Sequence, residues 1–208
     1  MEIVTNEERL RFLNEAKPRT GFNFKFIDNF DVSEIKRLLD GYTKDQWISE
    51  GIIQTSFKVQ ENVDFLIIVD THKPSRYTFP FFSYAHLEHL ELLAATTPII
   101  RRLEQEFGDQ GKVARAMFCN LLPGITIPEH TDQHPNGDAN VPFLLVSHRY
   151  HVPIVTNDKV WFDINGENKH MTTGECWEIN NNIRHSVGND GDTNRIHLII
   201  DILPHKWL

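Results

Sequence analysis

The sequence predicts a β barrel or jelly roll of short strands preceded by helices, and three observations carry that prediction. From Lys112 onward the segments are short, rich in Val, Ile, Phe and Trp, and separated by turn residues, the pattern of a closed or two-layered β fold. Asn165-Gly166 lies between two such runs and is a strong hairpin signal, because both residues tolerate positive φ. The helical patterns, by contrast, fall within the first hundred or so residues.

Taken in order, Glu7 to Ala16 carries Leu10, Phe12 and Leu13 and is compatible with a short helix. Asp31 to Leu39 sets Val32, Ile35, Leu38 and Leu39 at helical spacing behind an Asp31 cap. A third helix is expected to begin at Thr97 as N-cap, with Pro98 at the first helical position, where its missing N–H costs little. It should run through IIRRLEQEF and stop at Gly108. Strands are expected at Ala114 to Leu122, Val141 to Thr156, Lys159 to Ile164, Glu175 to Ile179 and Arg195 to Leu203. There is no internal repeat and no low-complexity stretch. The expected organisation is one domain over 1–208, in which a mixed, partly helical part (1–111) packs on a β core (112–208) that carries the chemistry.

Composition narrows the function classes. With 208 residues, 40% hydrophobic and 24% charged, the chain is ordinary for a soluble domain. A formal net charge of -8 argues against a nucleic-acid surface, which needs a basic stripe. The longest apolar run, Ile196 to Leu203, is interrupted by His197 and Asp201 and is too short to span a bilayer. The first residues, MEIVTNEERLRFLNEAK, lack the apolar stretch of a leader. Two cysteines, Cys119 and Cys176, do not make a disulfide scaffold, so a cytoplasmic, reduced setting is the expectation.

The central motif is His130-Thr131-Asp132. In an extended segment, residues two apart point to the same side, so the imidazole and carboxylate converge on one ion. Pro128 before it and Pro135 and Gly137 after it argue against a helix. His185 follows 55 positions later in RHSVGN. Two histidines and a carboxylate leave three positions of an octahedral metal open, which suits iron(II) that must bind oxygen and a chelating cosubstrate together.

By itself this motif also fits a surface turn, and neighbouring residues shift the balance. In RIHLIID, Arg195 and His197 share one strand face, opposite Ile196, Leu198 and Ile200. An arginine pointing into a barrel is costly unless it meets an anion, and a guanidinium fork on a carboxylate resolves the cost. The far carboxylate of 2-oxoglutarate would serve. In HRYHVPIVT, Arg149 and His151 repeat the pattern opposite Tyr150 and Val152, although a solvated edge strand reads equally well there.

With these residues in place, the chain resembles the aspartyl/asparaginyl β-hydroxylase family of iron(II)/2-oxoglutarate oxygenases, which includes bacterial proline hydroxylases. The resemblance rests on NLLPGITIPEHTD (Asn120 to Asp132), HRYHVPIVT, MTTGECWEINNNIRHSVGN (Met171 to Asn189) and RIHLIID, in the family's order and spacing over about the last 90 residues. It implies a double-stranded β-helix, a cupin-like jelly roll, with Fe(II) as metal and 2-oxoglutarate and O2 as cosubstrates. By position, His130, Asp132 and His185 resemble the metal ligands and Arg195 the cosubstrate clamp. Arg149 and His151 resemble residues near the metal-chelating end of the cosubstrate, and Asn120 falls where the family often has a small polar contact. Some family members lack the metal carboxylate. Retention of Asp132 points to the branch acting on free amino acids, with side-chain hydroxylation in a protein as the second reading and a non-catalytic cupin-like binding module as the third.

Other features carry less. His130 and His134 have the spacing of helical zinc ligands, but the surrounding prolines and glycine oppose a helix, and no glutamate follows His130 as a base. The loop Gln133 to Pro142 reads as a substrate lid or as a hairpin connection. Trp161, Phe162 and Trp177 read as core, His86 and His89 as surface or satisfied histidines, and Arg184 as either solvated or at the pocket mouth.

Overall fold

Side-chain alternation along the strands organises the molecule, by turning one face of the large sheet toward helices and the other toward a second sheet. The computed structural model describes residues 21–47, 63–71, 83–108, 111–132, 144 and 147–204. In chain order these form β1 (Phe24–Asn29), α1 (Ser33–Leu39), a 3-10 turn (Lys44–Trp47), β2 (Val63–Thr71) and β3 (Ser83–Ala85). A second 3-10 turn (Leu87–His89) leads into α2 (Leu90–Gln105), followed by β4 (Gly111–Leu121), β5 (Ile125–His130), β6 (His148–Val155) and β7 (Val160–Ile164). Last come β8 (Glu167–Lys169), β9 (Glu175–Ile179), β10 (His185–Asn189) and β11 (Arg195–Pro204).

The strands make two antiparallel sheets, one of seven strands in the order β1-β9-β6-β11-β4-β2-β3 and one of four in the order β5-β10-β7-β8. This is the expected jelly-roll architecture. Three strands of the large sheet, β1 to β3, come from the first hundred residues, where the sequence pattern suggested mixed structure with several helices and placed no strand. The β7–β8 hairpin turns at Asn165 and Gly166, with φ of 52° and 82°, and pairs Ile164 with Glu167 as the Asn-Gly signal predicts.

The outer face of the large sheet packs on the helices. Leu66, Ile68, Ala116, Phe118, Tyr150, Val152, Leu198 and Ile200 meet Ile35, Leu39, Leu92, Ile99 and Leu103. Between the sheets, Met117, Cys119, Leu121 and Ile199 meet Ile127, Phe162, Ile164 and Val187. Each such fully buried aliphatic side chain contributes about 1.5–3 kcal/mol. The alternation Leu198 out, Ile199 in, Ile200 out places Arg195, His197 and Asp201 on the inner face of β11. Arg149 and His151 likewise face inward from β6, opposite Tyr150 and Val152.

Both described helices depart in detail from expectation. In α1 the N-cap position is Val32, without a side-chain cap, rather than Asp31; the Asp31 carboxylate, one residue earlier, still accepts the Ser33 N–H at 2.9 Å. α2 does not start at Thr97; it begins at Leu90 and carries Pro98 inside. Burial of Leu92, Thr96, Ile99, Ile100 and Leu103 on one face outweighs the roughly 3 kcal/mol of an interior proline. Thr97 does not cap either; its hydroxyl donates to the Leu93 carbonyl at 2.7 Å. The helix on Glu7 to Ala16 and the loop Gln133 to Pro142 lie outside the described residues. Among the described residues, no helix is long and apolar enough to cross a membrane.

Candidate metal centre and anion pocket

The last residue of β5 and the first of β10 are direct partners, His130 opposite His185, which sets the imidazoles side by side with ring centroids 4.4 Å apart. Asp132 follows His130 by two positions, and its N–H donates to the Asn181 carbonyl at 3.4 Å. Its Oδ1 lies 4.0 Å from His130 Nε2 and 3.8 Å from His185 Nε2. Ligand atoms of the three residues all lie within 4.8 Å of one another, the one such group found among the described residues.

Local hydrogen bonds decide which ring atoms face inward. His130 Nδ1 is 2.8 Å from the Pro128 carbonyl and His185 Nδ1 is 2.8 Å from the Ile183 carbonyl. A carbonyl only accepts, so each Nδ1 carries the proton and each Nε2 presents a lone pair. Burial, then the neighbouring His185, pushes the His130 pKa down and keeps that ring neutral. Asp132 Oδ2 is buried without a hydrogen-bond partner. Two neutral imidazoles and one carboxylate with an orphaned oxygen make a donor set that fits a divalent first-row metal with open positions.

Asp132 is also tied into a row of buried charges. Arg149 NH1 reaches its Oδ1 at 2.9 Å, while Arg149 Nε and NH2 donate to the two oxygens of Asp201 at 2.8 and 2.9 Å. Arg115 approaches Asp201 from the other side at 3.4 Å. Burial alone would raise the Asp132 pKa; Arg149 chiefly, then His185 and His130, bring it below the ordinary carboxylate value. Burial opposes the charge of Arg149 too, and Asp132 and Asp201 more than restore it.

A second cluster lies deeper. Arg195 is 1% exposed and, among the described residues, meets no carboxylate. Its NH2 donates to His197 Nδ1 at 2.8 Å, which places the His197 proton on Nε2, and it hydrogen-bonds the Cys119 thiol. Arg195 Nε, His197 Nε2 and His151 Nδ1 are buried polar atoms without partners. Burial lowers the Arg195 pKa to about 10 and depresses both His151 and His197 well below the usual imidazole value. The rings of His197, His151, Phe162 and His185 follow one another at centroid separations of 5.8, 5.2 and 5.7 Å, linking this cluster to the His130–Asp132–His185 triad.

Six of the seven residues singled out in sequence therefore converge: His130, Asp132, His185, Arg149, His151 and Arg195. Asn120 does not join them. It pairs with Ile196 and Asp64 on the outer face of the sheet and donates to Asp64 at 3.4 Å. Cys119, one position earlier on β4 and opposite His197 in register, is the residue that hydrogen-bonds Arg195. Sequence reasoning missed Asp201 and Arg115, although Asp201 continues the same-face pattern of Arg195 and His197. Arg184 bonds Glu129 at 2.8 Å, both exposed. Phe162 is core as expected, Trp177 packs against it, and Trp161 donates to Asp190 at 2.8 Å. His89 bonds the Tyr42 hydroxyl at 3.1 Å, a satisfied histidine.

Comparison with known proteins agrees with this geometry. The sequence profile of the family Aspartyl/Asparaginyl beta-hydroxylase matches residues 65–204. Among solved structures, the chain is similar to an oxidoreductase of the 2OG-Fe(II) oxygenase family from Burkholderia pseudomallei, at TM-score 0.57 and 12% identity, covering 97% of this chain and 93% of that one. It is also similar to the non-haem alpha-ketoglutarate-dependent epimerase of nogalamycin biosynthesis, at TM-score 0.55 and 13% identity, covering 94% and 83%. Identities this low speak for the fold. A search of the curated proteins finds no match.

Proposed function

The chain belongs to the aspartyl/asparaginyl β-hydroxylase family of iron(II)/2-oxoglutarate oxygenases, and on that premise we propose that it hydroxylates an unactivated C–H bond of a small polar substrate, a free amino acid or amino-acid-like molecule. The observation that carries the proposal is Arg195, a buried cation with an unpartnered Nε, one ring-stack away from a His-Asp-His triad. Desolvating a guanidinium without a counter-charge is expensive, and a bound carboxylate would remove the expense.

In this reading His130, Asp132 and His185 hold the iron. Arg195 Nε and the Nε2–H of His197 grip the far carboxylate of 2-oxoglutarate, and His151 borders its path toward the metal. Arg149 keeps Asp132 ionised and oriented. Iron supplies the oxidative chemistry, by which O2, 2-oxoglutarate and a substrate C–H become succinate, carbon dioxide and an alcohol. The protein contributes neutral ligands, a preorganised cation and the apolar side chains of Phe162, Ile127 and Ile164 in the core between the sheets.

Anaerobic addition of iron(II) and 2-oxoglutarate should produce the visible metal-to-ligand charge-transfer band, and succinate release should then respond to members of a free amino acid panel. A response to peptides alone would move the reading to side-chain hydroxylation in a protein. No band from iron-loaded protein would leave only a binding module.

A further inference from the structure

We infer that Asp201 is a positioning residue of the metal centre, acting on Asp132 through the guanidinium of Arg149; the inference rests on the metal-site reading above. Asp201 is 0% exposed and stands directly opposite Arg149 on one neighbouring strand and Arg115 on the other. All three side chains point into the space between the sheets, so the row Arg149–Asp201–Arg115 crosses the floor of the same interior that holds the triad.

The geometry of Arg149 makes the link directional. A guanidinium is planar, and its nitrogens are fixed relative to one another. Asp201 takes two of them, Nε and NH2, in a fork of 2.8 and 2.9 Å, which fixes the plane and the direction of the third. That third nitrogen, NH1, meets Asp132 Oδ1 at 2.9 Å, between a carboxylate on the large sheet and a ligand at the edge of the small one. Asp132 stands just beyond the end of β5, and an N–H bond of 3.4 Å is its hold on the neighbouring backbone. The Arg149 contact therefore sets where the carboxylate points, and Asp201 sets where Arg149 points.

Charge supports the same assignment. Asp132, Asp201, Arg115 and Arg149 are two anions and two cations in one buried row. Without Asp201, Arg149 would carry its full charge toward Asp132 and the metal, with its plane free to turn. Outer partners of metal ligands typically change metal affinity by about 10–100-fold when removed.

The test uses cobalt(II), whose ligand-field absorption reports ligand geometry, titrated into metal-free protein without cosubstrate. Asp201→Asn and Arg149→Met should each weaken cobalt binding by about 10–100-fold and alter the absorption, while circular dichroism shows a folded chain. The double variant should be no weaker than Arg149→Met alone, because both substitutions interrupt one route. It also removes one cation and one anion together, so it should fold even if Asp201→Asn does not. Wild-type affinity and absorption in folded Asp201→Asn or in the double variant overturns the inference, as do fully additive losses. Failure of the wild-type chain to bind cobalt would instead sink the metal-site reading itself.

Discussion

Replacing Arg195 with methionine should make the metal-free protein more stable and cosubstrate binding far weaker. The Arg195 pKa falls from the ordinary guanidinium value to about 10, with burial as the leading cause. At about 1.4 kcal/mol per pH unit this corresponds to roughly 3 kcal/mol by which folding disfavours the charged form. The hydrogen bonds to His197 and Cys119 return about 0.5–1.5 kcal/mol each, and the Cys119 contact already moderates that value. Arg195→Met fills the same space with an apolar side chain, and exchanging a poorly compensated buried charge for a hydrophobe is neutral to stabilising. The metal-free variant should therefore match the wild type or exceed it by about 1–2 kcal/mol, a melting temperature higher by some 2–8 °C for a chain of this size. Losing one partner of a buried charged pair costs about 2–5 kcal/mol of binding, so the 2-oxoglutarate dissociation constant should rise from about 30-fold to several thousand-fold. Thermal unfolding of the metal-free protein and anaerobic cosubstrate titration of the metal-loaded protein read the two effects separately. A variant that unfolds well below the wild type, or that still binds 2-oxoglutarate normally, would refute the reasoning.

Other expectations follow from the same interior. His151 and His197 have pKa values depressed by burial, so between pH 7 and 5 the unfolded chain takes up protons that the folded chain does not. Stability should then fall with acidification below about pH 6.5, by up to about 1.4 kcal/mol per pH unit for each histidine, and His197→Gln should flatten the slope by one proton's worth; a flat profile in calorimetric unfolding would contradict this. Asn120→Ala should leave cosubstrate affinity within about twofold, because Asn120 lies on the outer sheet face, whereas a bulky Cys119→Leu should crowd Arg195 and weaken it; equilibrium binding separates the two. Gly174 has φ of 86° and would drive a Cβ into the Phe30 carbonyl where β1 meets β9, so Gly174→Ala should cost at least about 1–3 kcal/mol in denaturant unfolding.

Much of the site was legible because strands have a period of two. His130 and Asp132, Arg149 and His151, and Arg195 and His197 each sit two apart, and their shared faces could be read without coordinates. Asn120 shows how narrow that logic is: a shift of one residue moves a side chain to the other face, and it is Cys119, opposite His197 in register, whose thiol hydrogen-bonds Arg195. At Thr97-Pro98 a local helix-start signal lost to the burial of Leu92 one turn and more upstream, a tertiary term that local pattern does not contain.

Sequence alone determined the strand-rich second half, the Asn165-Gly166 hairpin, which side chains share a strand face and the chemical types of the candidate metal donors, since these depend on local preference and alternation. Tertiary structure alone decided that β1, β2 and β3 complete the large sheet, and that His130 and His185 stand in register. It also decided that Arg149 spends its three nitrogens on Asp201 and Asp132 rather than remaining open. Those outcomes depend on which strands become neighbours, and pairing between distant segments is set by burying both sheets around one core.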